Sequence, residues 1–296
     1  MHVFITGATG WIGSAVVDHL LATGHVVSGL ARSETAAEVL ARKGARPRRG
    51  DLDDVDGLRA AAAAADAVVH LANKHDWTDP AGTNRTERAA VTAMAEALTG
   101  SDRPFVLAAA LSGLTRGRPA TERDPSPAVG PDSPRGGSEN LLLAYADRGV
   151  RVISSRFAPS VHGRGDTGFV ASLVAAARRH GRSAYLGDGD TAWAAVHRGD
   201  AARLVRLALE AAPAGSVLHA VTEDAISTRA IADAIGRMLD VPVVSIPPED
   251  ATEHFGFVGR FFGMDMSASS AHTRELLSWT SSGPALLADI ENGAYA

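Results

Sequence analysis

Apolar positions in this chain come in short runs, separated by glycine turns and by stretches with helical periodicity. Residues 2–6 (His2-Val3-Phe4-Ile5-Thr6) are mostly β-branched or aromatic, the character of a short buried strand. Residues 14–22 predict a helix, and Ile12, Val16, Val17, Leu20 and Leu21 share one face of it. Apolar runs at 25–30, 67–72, 105–110, 151–156 and 216–221 predict further strands, with a short one at 46–49. Residues 59–65, 79–97, 134–147, 167–180 and 201–212 predict helices between them. This alternation predicts an α/β fold built on a parallel sheet. Residues 117–136 carry proline, glycine and charge and predict a loop. Beyond residue 222, a helix at 227–239 and a short strand at 241–244 precede an aromatic and methionine cluster at 253–266. Such a cluster is expected mainly as core, with part of it available to an apolar substrate pocket.

The turn after the first strand is Gly7-Ala8-Thr9-Gly10-Trp11-Ile12-Gly13. Gly7 permits a tight turn with positive φ. Gly10 lacks Cβ, so backbone N–H groups at the helix N-terminus can reach a pyrophosphate. Gly13 lets the helix lie close against the strand. Strand, glycine turn and helix in that order predict dinucleotide binding, with Thr9, Trp11 and Ile12 beside the glycines. The second strand leads into Arg32 and Ser33, where an NAD-selective site has an acidic residue for the ribose 2′-OH. A guanidinium pairs instead with a 2′-phosphate, so the expected cofactor is NADP, with NAD possible. Glu34, two residues on, weakens that preference slightly.

Composition narrows the classes. At 296 residues the chain accommodates one large α/β domain and a smaller lobe. A net charge of −5 argues against nucleic acid as a partner. No apolar run approaches the roughly 18 residues of a membrane span, and no leader pattern precedes the first strand. The expected setting is therefore cytoplasmic, without membrane contact. The absence of cysteine removes disulfides, thiolate metal sites and a cysteine nucleophile, and no metal is expected.

Thr6 to Gly13 resembles the TGxxGxxG signature of extended and atypical short-chain dehydrogenases/reductases, the epimerase/dehydratase-like branch. The resemblance implies a doubly wound parallel-sheet Rossmann domain, residues 1–156 and 191–222, with a smaller C-terminal substrate-binding lobe, residues 157–190 and 223–296. It implies that Asp51 and Leu52 contact adenine, although Asp51 or Asp54 also suits a helix N-cap. Leu71, Ala72 and Asn73, at the C-terminal end of a strand, look like the residues flanking the cofactor. Pro159 opens a segment similar to the family's Pro-x-Val-Tyr-Gly, with His162 at the tyrosine. Trp193 to Asp200 resembles the family's His-Val-x-Asp stretch before a helix, and Asp200 is expected to cap that helix. Residues 274–279 look like the family's Glu-Leu-Gly-Trp ending, with Ser278 in place of glycine.

The likeness fails at the reaction centre. Reductases of this type use a strand-end serine and a Tyr-x-x-x-Lys pair, the tyrosine donating a proton and the lysine lowering its pKa. Here those positions fall on Ala110, Arg135 and Glu139, and no Tyr-x-x-x-Lys occurs anywhere. Arginine does not release its proton near neutral pH. His75 and His162 are the candidate proton donors, because histidine titrates near neutrality, with Lys74 and Ser112 in reserve. His70 is expected as a packed histidine. The reading is an NADP(H)-dependent oxidoreductase acting on a small, fairly apolar carbonyl or alcohol, or an activated C=C or C=N, with a non-standard proton donor. Its rivals are an isomerase, dehydratase or cyclase on the same fold, and a non-catalytic NADP-responsive binding protein. The expected partner is a small-molecule substrate, and the expected state a monomer or homodimer.

Overall fold

The computed structural model describes residues 1–115 and 117–296. Strands and helices alternate from the start: β1 (His2–Thr6), α1 (Trp11–Ala22), β2 (Val26–Ala31), α2 (Glu34–Lys43), β3 (Arg46–Arg49), α3 (Val55–Ala63), β4 (Ala67–His70), α4 (Pro80–Leu98) and β5 (Pro104–Ala110). After a long loop come α5 (Ser138–Leu143), β6 (Arg151–Phe157), β7 (Ser160–His162), α6 (Phe169–His180), β8 (Ser183–Leu186) and β9 (Ala192–His197). Then follow α7 (Arg198–Ala211), β10 (Ser216–Ala220), β11 (Glu223–Ser227), α8 (Thr228–Leu239) and β12 (Val243–Ile246). Short helices α9 (Ala251–Phe255), α10 (Gly259–Phe262), α11 (Ala271–Leu277) and α12 (Leu286–Glu291) close the chain. No helix among the described residues is long and apolar enough to cross a membrane.

The chain divides into two compact units, Met1–Ala109 with Pro125–Arg156 and Ala202–Leu218, and Ala110–Asp124 with Phe157–Ala201 and His219–Ala296. The first unit is organised on a seven-stranded sheet of order β10-β6-β5-β4-β1-β2-β3. Strands β3, β2, β1, β4 and β5 pair in parallel. The order reverses between β1 and β4, as in doubly wound folds, which place ligands at that reversal, outside the carboxyl ends of the strands. Strand β4 is buried along its whole length, as expected where helices cover both faces of a parallel sheet. Strand β3 is Arg-Pro-Arg-Arg and lies at the sheet edge, where a proline without an N–H and charged side chains are tolerated. Phe4, Leu58, Val68, Met94, Leu98, Phe105 and Val152 belong to the core of this unit.

The second unit holds a three-stranded sheet of order β11-β9-β7 and a two-stranded sheet, β12-β8. Strand β9 falls within residues expected in the first unit. It instead pairs antiparallel with β11 and parallel with β7. Trp193, on β9, is fully buried and packs edge-on against Phe262, with Phe255 and Met266 in the same core. Most of the aromatic and methionine cluster therefore fills the interior, while Phe257 and Met264 stay exposed.

Two local expectations are corrected. The helix expected from residue 134 begins at Ser138, because Arg135, Gly136 and Gly137 all take the left-handed conformation (φ 56°, 61° and 63°). Asp200 lies inside the first turn of α7 rather than at its cap, and its carboxylate accepts from Ser282 N, Ser282 Oγ and Gly283 N. A loop distant in sequence has claimed the carboxylate.

Candidate functional site

The glycine turn is closed by Gly10 N donating to Gly7 O at 3.0 Å. Gly7 has φ of +70°, and a Cβ there would lie 2.8 Å from Ala72 N. A Cβ on Gly13 would lie 2.0 Å from Gly7 O. These two glycines thus let β1, α1 and the end of β4 meet at backbone distance. Gly10 is the N-cap of α1 and supplies no side-chain cap, and its own Cβ would stand 3.2 Å from Gly7 O. The result is a helix N-terminus with bare backbone around it, suited to an anion. A dinucleotide pyrophosphate fits this cradle, and a Cβ at Gly7 or Gly13 would collide with the backbone that shapes it.

Around the cradle, Thr9 is exposed, while Trp11 and Ile12 are half-buried in the first turn of α1. Arg32 is exposed just past β2. Ser33 caps α2, accepting from Ala36 N at 3.1 Å. Its neighbour Glu34 pairs with Arg49 at 3.3 Å, and no ion pair joins Arg32 to another described residue. Asp51 Oδ1 accepts from the Asp53 and Asp54 amides, while Asp54 caps α3 through Gly57 N. The helix N-cap expected of Asp51 or Asp54 falls to Asp54, while Asp51 holds the loop amides ahead of it, and Leu52 is buried beside them.

A buried polar network stands at the end of β4. Thr6 Oγ1 and His70 Nδ1 lie 2.7 Å apart, and His70 Nε2 lies 3.6 Å from Glu87 Oε1. Glu87 Oε1 accepts from Arg135 Nη2 at 2.5 Å and Nε at 3.2 Å, and Oε2 accepts from Asn73 Nδ2 at 3.2 Å. Burial alone would raise the Glu87 pKa, but the Arg135 guanidinium, and then His70, outweigh it and hold it at about 2. Glu87 is thus a charged carboxylate with 1% of its surface exposed. Leu71, Ala72 and Asn73 lead out of this network into the loop that carries the proposed donors.

Residues 3–220 match the model of the NAD dependent epimerase/dehydratase family. The chain belongs to that family. An uncharacterized protein of Schizosaccharomyces pombe is 41% identical over 296 residues and covers all of both chains. One of Saccharomyces cerevisiae is 43% identical, covering 98% of each. Among solved structures, MoeE5 in complex with UDP-glucuronic acid and NAD is 25% identical, with TM-score 0.73, and covers 96% of this chain and 95% of its own. A UDP-glucose 4-epimerase of Thermus thermophilus, in complex with NAD, is 22% identical, with TM-score 0.76, over 99% of this chain and 98% of that one. The fold is therefore the nucleotide-binding fold of an NAD-dependent family.

Arg135 and Glu139, expected at the tyrosine and lysine of the Tyr-x-x-x-Lys pattern, are each tied into an ion pair. Arg135 holds Glu87, as above. Glu139 Oε1 accepts from Arg156 Nε at 2.7 Å and Ser154 Oγ at 2.8 Å, both on β6 and buried. Glu87, Arg156 and Asp53 were missed in the sequence. Glu87 had a signal, since it shares the buried face of α4 with Ala90, Val91 and Met94. A carboxylate on an apolar stripe needs a partner.

The candidate donors are distributed as follows. His75 has φ of 51°, lies on the exposed loop after β4 and stacks on Trp77 at 6.2 Å. Desolvation, and then the charge of Arg135, lower its pKa. Lys74 Nζ donates to both oxygens of Asp53 (2.8 and 2.7 Å), and Thr86 Oγ1 donates to the same carboxylate. Lys74, His75 and Arg135 belong to the first unit, whereas Ser112, Pro159 and His162 belong to the second. Ser112 is exposed in the turn after β5, and Pro159 is half-buried. His162 is fully buried, with Nδ1 2.7 Å from Asp289 Oδ2 and Nε2 3.8 Å from Glu223 Oε2. Desolvation lowers its pKa against the opposing pull of Asp289. His162 lies on β7 rather than in a glycine-rich loop.

Proposed function

We propose that the chain is an NADP(H)-dependent oxidoreductase interconverting a small carbonyl and its alcohol, with a proton donor other than tyrosine. The observation that carries the reading is the glycine cradle at α1 together with the exposed Arg32 beyond β2, which pairs with no other described residue. A cation at that strand end favours a 2′-phosphate over a bare hydroxyl. The redox half is supported by a relative from Stigmatella aurantiaca, a 4-hydroxy-2-methyl-3-oxo-4-farnesyl-3,4-dihydroquinoline-1-oxide ketoreductase. It is 28% identical over 227 residues, covering 73% of this chain and 67% of its own. Bound NADP(H) supplies hydride chemistry, as in other nicotinamide enzymes. In this reading Gly7, Gly10 and Gly13 would hold the pyrophosphate, Arg32, Ser33, Asp51 and Leu52 the adenosine, and Leu71, Ala72 and Asn73 the ring end.

His75 is the preferred proton donor, being exposed on the loop after β4. His162, already engaged by Asp289 and without exposed surface, ranks below it, and Lys74, engaged by Asp53, below that. Fluorescence titration with NADPH and NADH tests the cofactor assignment. NADPH binds more tightly, and Arg32→Ala weakens NADPH by at least about tenfold while leaving NADH little changed. Equal affinity for the two cofactors, or an Arg32→Ala variant that retains the preference, overturns it. Consumption of NADPH absorbance across a panel of small carbonyls tests the redox assignment, and no turnover with any of them counts against it.

A further inference from the structure

Arg135 stands where the family pattern has its phenol, yet its guanidinium is rigidly held. Glu87 Oε1 takes both Nε and Nη2, which occupies one side of the planar group. The opposite edge, formed by Nη1 and the second Nη2 proton, remains, and no described residue accepts from Nη1. The Arg135 side chain is 30% exposed, while its partner is 1% exposed. The backbone beneath it is unusual, with three successive residues in the left-handed region, the first of them not glycine. A Cβ on Gly136 would lie 2.4 Å from Asn84 O, and Arg88 Nη1 donates to Gly136 O at 2.8 Å. This turn is therefore clamped against α4, and the clamp sustains a conformation costing on the order of 1 kcal/mol at Arg135.

A guanidinium needed only to neutralise Glu87 requires neither an open edge nor a strained backbone. Two parallel N–H groups on a fixed plane match the two oxygens of a carboxylate, a geometry that lysine or tyrosine cannot offer. We infer that Arg135 binds the carboxylate of an oxo- or hydroxy-acid substrate through its open Nη1–Nη2 edge, and that Glu87 is the positioning residue that aims it. The inference rests on the proposed redox function only in naming that anion as part of the substrate. It also narrows that function, since the substrate then carries a charged group next to the reacting carbon. Arg135 binds and never transfers a proton, so the proton remains with another group.

His75 provides a readout that does not depend on turnover, because Arg135 and Glu87 are the charges acting on its ring. The full-length labelled protein is titrated by NMR with oxamate, a stable oxo-acid mimic, against chloride at matched ionic strength. An anion on Arg135 cancels part of the charge that depresses His75, so oxamate raises the His75 titration midpoint. Arg135→Gln abolishes that rise and weakens oxamate at least about tenfold, and Arg135→Lys, which keeps the charge but loses the planar edge, falls between. Glu87→Gln keeps the cation unaligned, so the advantage of oxamate over chloride shrinks severalfold. The double variant Glu87→Gln/Arg135→Gln removes both members of the ion pair and serves where a single variant unfolds. Oxamate binding that is equal in wild type and in the folded Arg135 variants, or that leaves His75 unmoved, overturns the inference. An unchanged selectivity in Glu87→Gln removes its positioning role. NADPH titrations of the same samples separate the two claims: NADPH binding without an oxamate effect overturns the anion site alone, and a His75 response without dinucleotide binding overturns the redox function alone.

Discussion

Ser278 and Glu87 each occupy a place that local preference argues against. Ser278 ends α11 with φ of 49°, the left-handed position usually given to glycine, and it stands where the family resemblance has glycine. The strain is sustained by the next residue, because Trp279 is buried and its Nε1 donates to Asp200 O at 3.1 Å. Ser278→Gly is expected to stabilise the protein by about 0.5–1 kcal/mol, read as a higher Tm. Glu87 is the opposite case, a charge whose environment repays its burial only while Arg135 is present. Its pKa is about 2 when folded, against 4.5 for a free glutamate. A depressed carboxylate contributes stability above its unfolded value that is lost as pH falls through its folded value. The loss therefore runs from about pH 4.5 down to about pH 2 and amounts to on the order of 3 kcal/mol. Chemical denaturation across that range should show a steeper acid loss in wild type than in the Glu87→Gln/Arg135→Gln double variant. Parallel curves would mean that the pair carries no such linkage.

At the scale of elements, the first crossover was readable because its determinants are local. Three glycines within seven residues decide how β1, the turn and α1 meet. Gly13→Ala places a methyl group 2.0 Å from Gly7 O, so it is expected to destabilise by about 1–3 kcal/mol and to abolish dinucleotide binding. Calorimetry and NADPH titration of the variant check both effects, and a stable Gly13→Ala protein that binds NADPH normally would contradict the packing described. Strand β3 was also readable as a short strand, and the structure places it at the sheet edge, where its proline and charges are tolerated. The start of α5 was not. Gly136 and Gly137 permit a left-handed turn but do not require it, and contact with α4 selects it. Nor was the pairing of β9 with β7 and β11, since an apolar run states that a strand is buried but not which sheet takes it.

For the molecule as a whole, the cofactor assignment links stability to ligand. A dinucleotide that binds only the folded chain stabilises it by about 2.7 kcal/mol at one hundred times its Kd. NADPH is expected to raise the Tm accordingly. NADH at the same concentration raises it less in wild type, and the two become similar in Arg32→Ala. A Tm that neither cofactor moves would leave the family fold in place and remove the proposed cofactor function.

Patterns confined to a few consecutive residues were enough to determine the α/β class, the glycine cradle, most element positions and the loss of the Tyr-x-x-x-Lys pair. They suffice because backbone sterics, capping and strand or helix periodicity act over one turn or one strand. What only the tertiary structure decided are the partners of the charges. Glu87 finds Arg135 48 residues away, Asp200 holds Ser282 82 residues on, and His162 meets Asp289 across 127 residues. A buried charge must have a counter-ion, but which one it receives depends on how the elements pack, and no local rule carries that information.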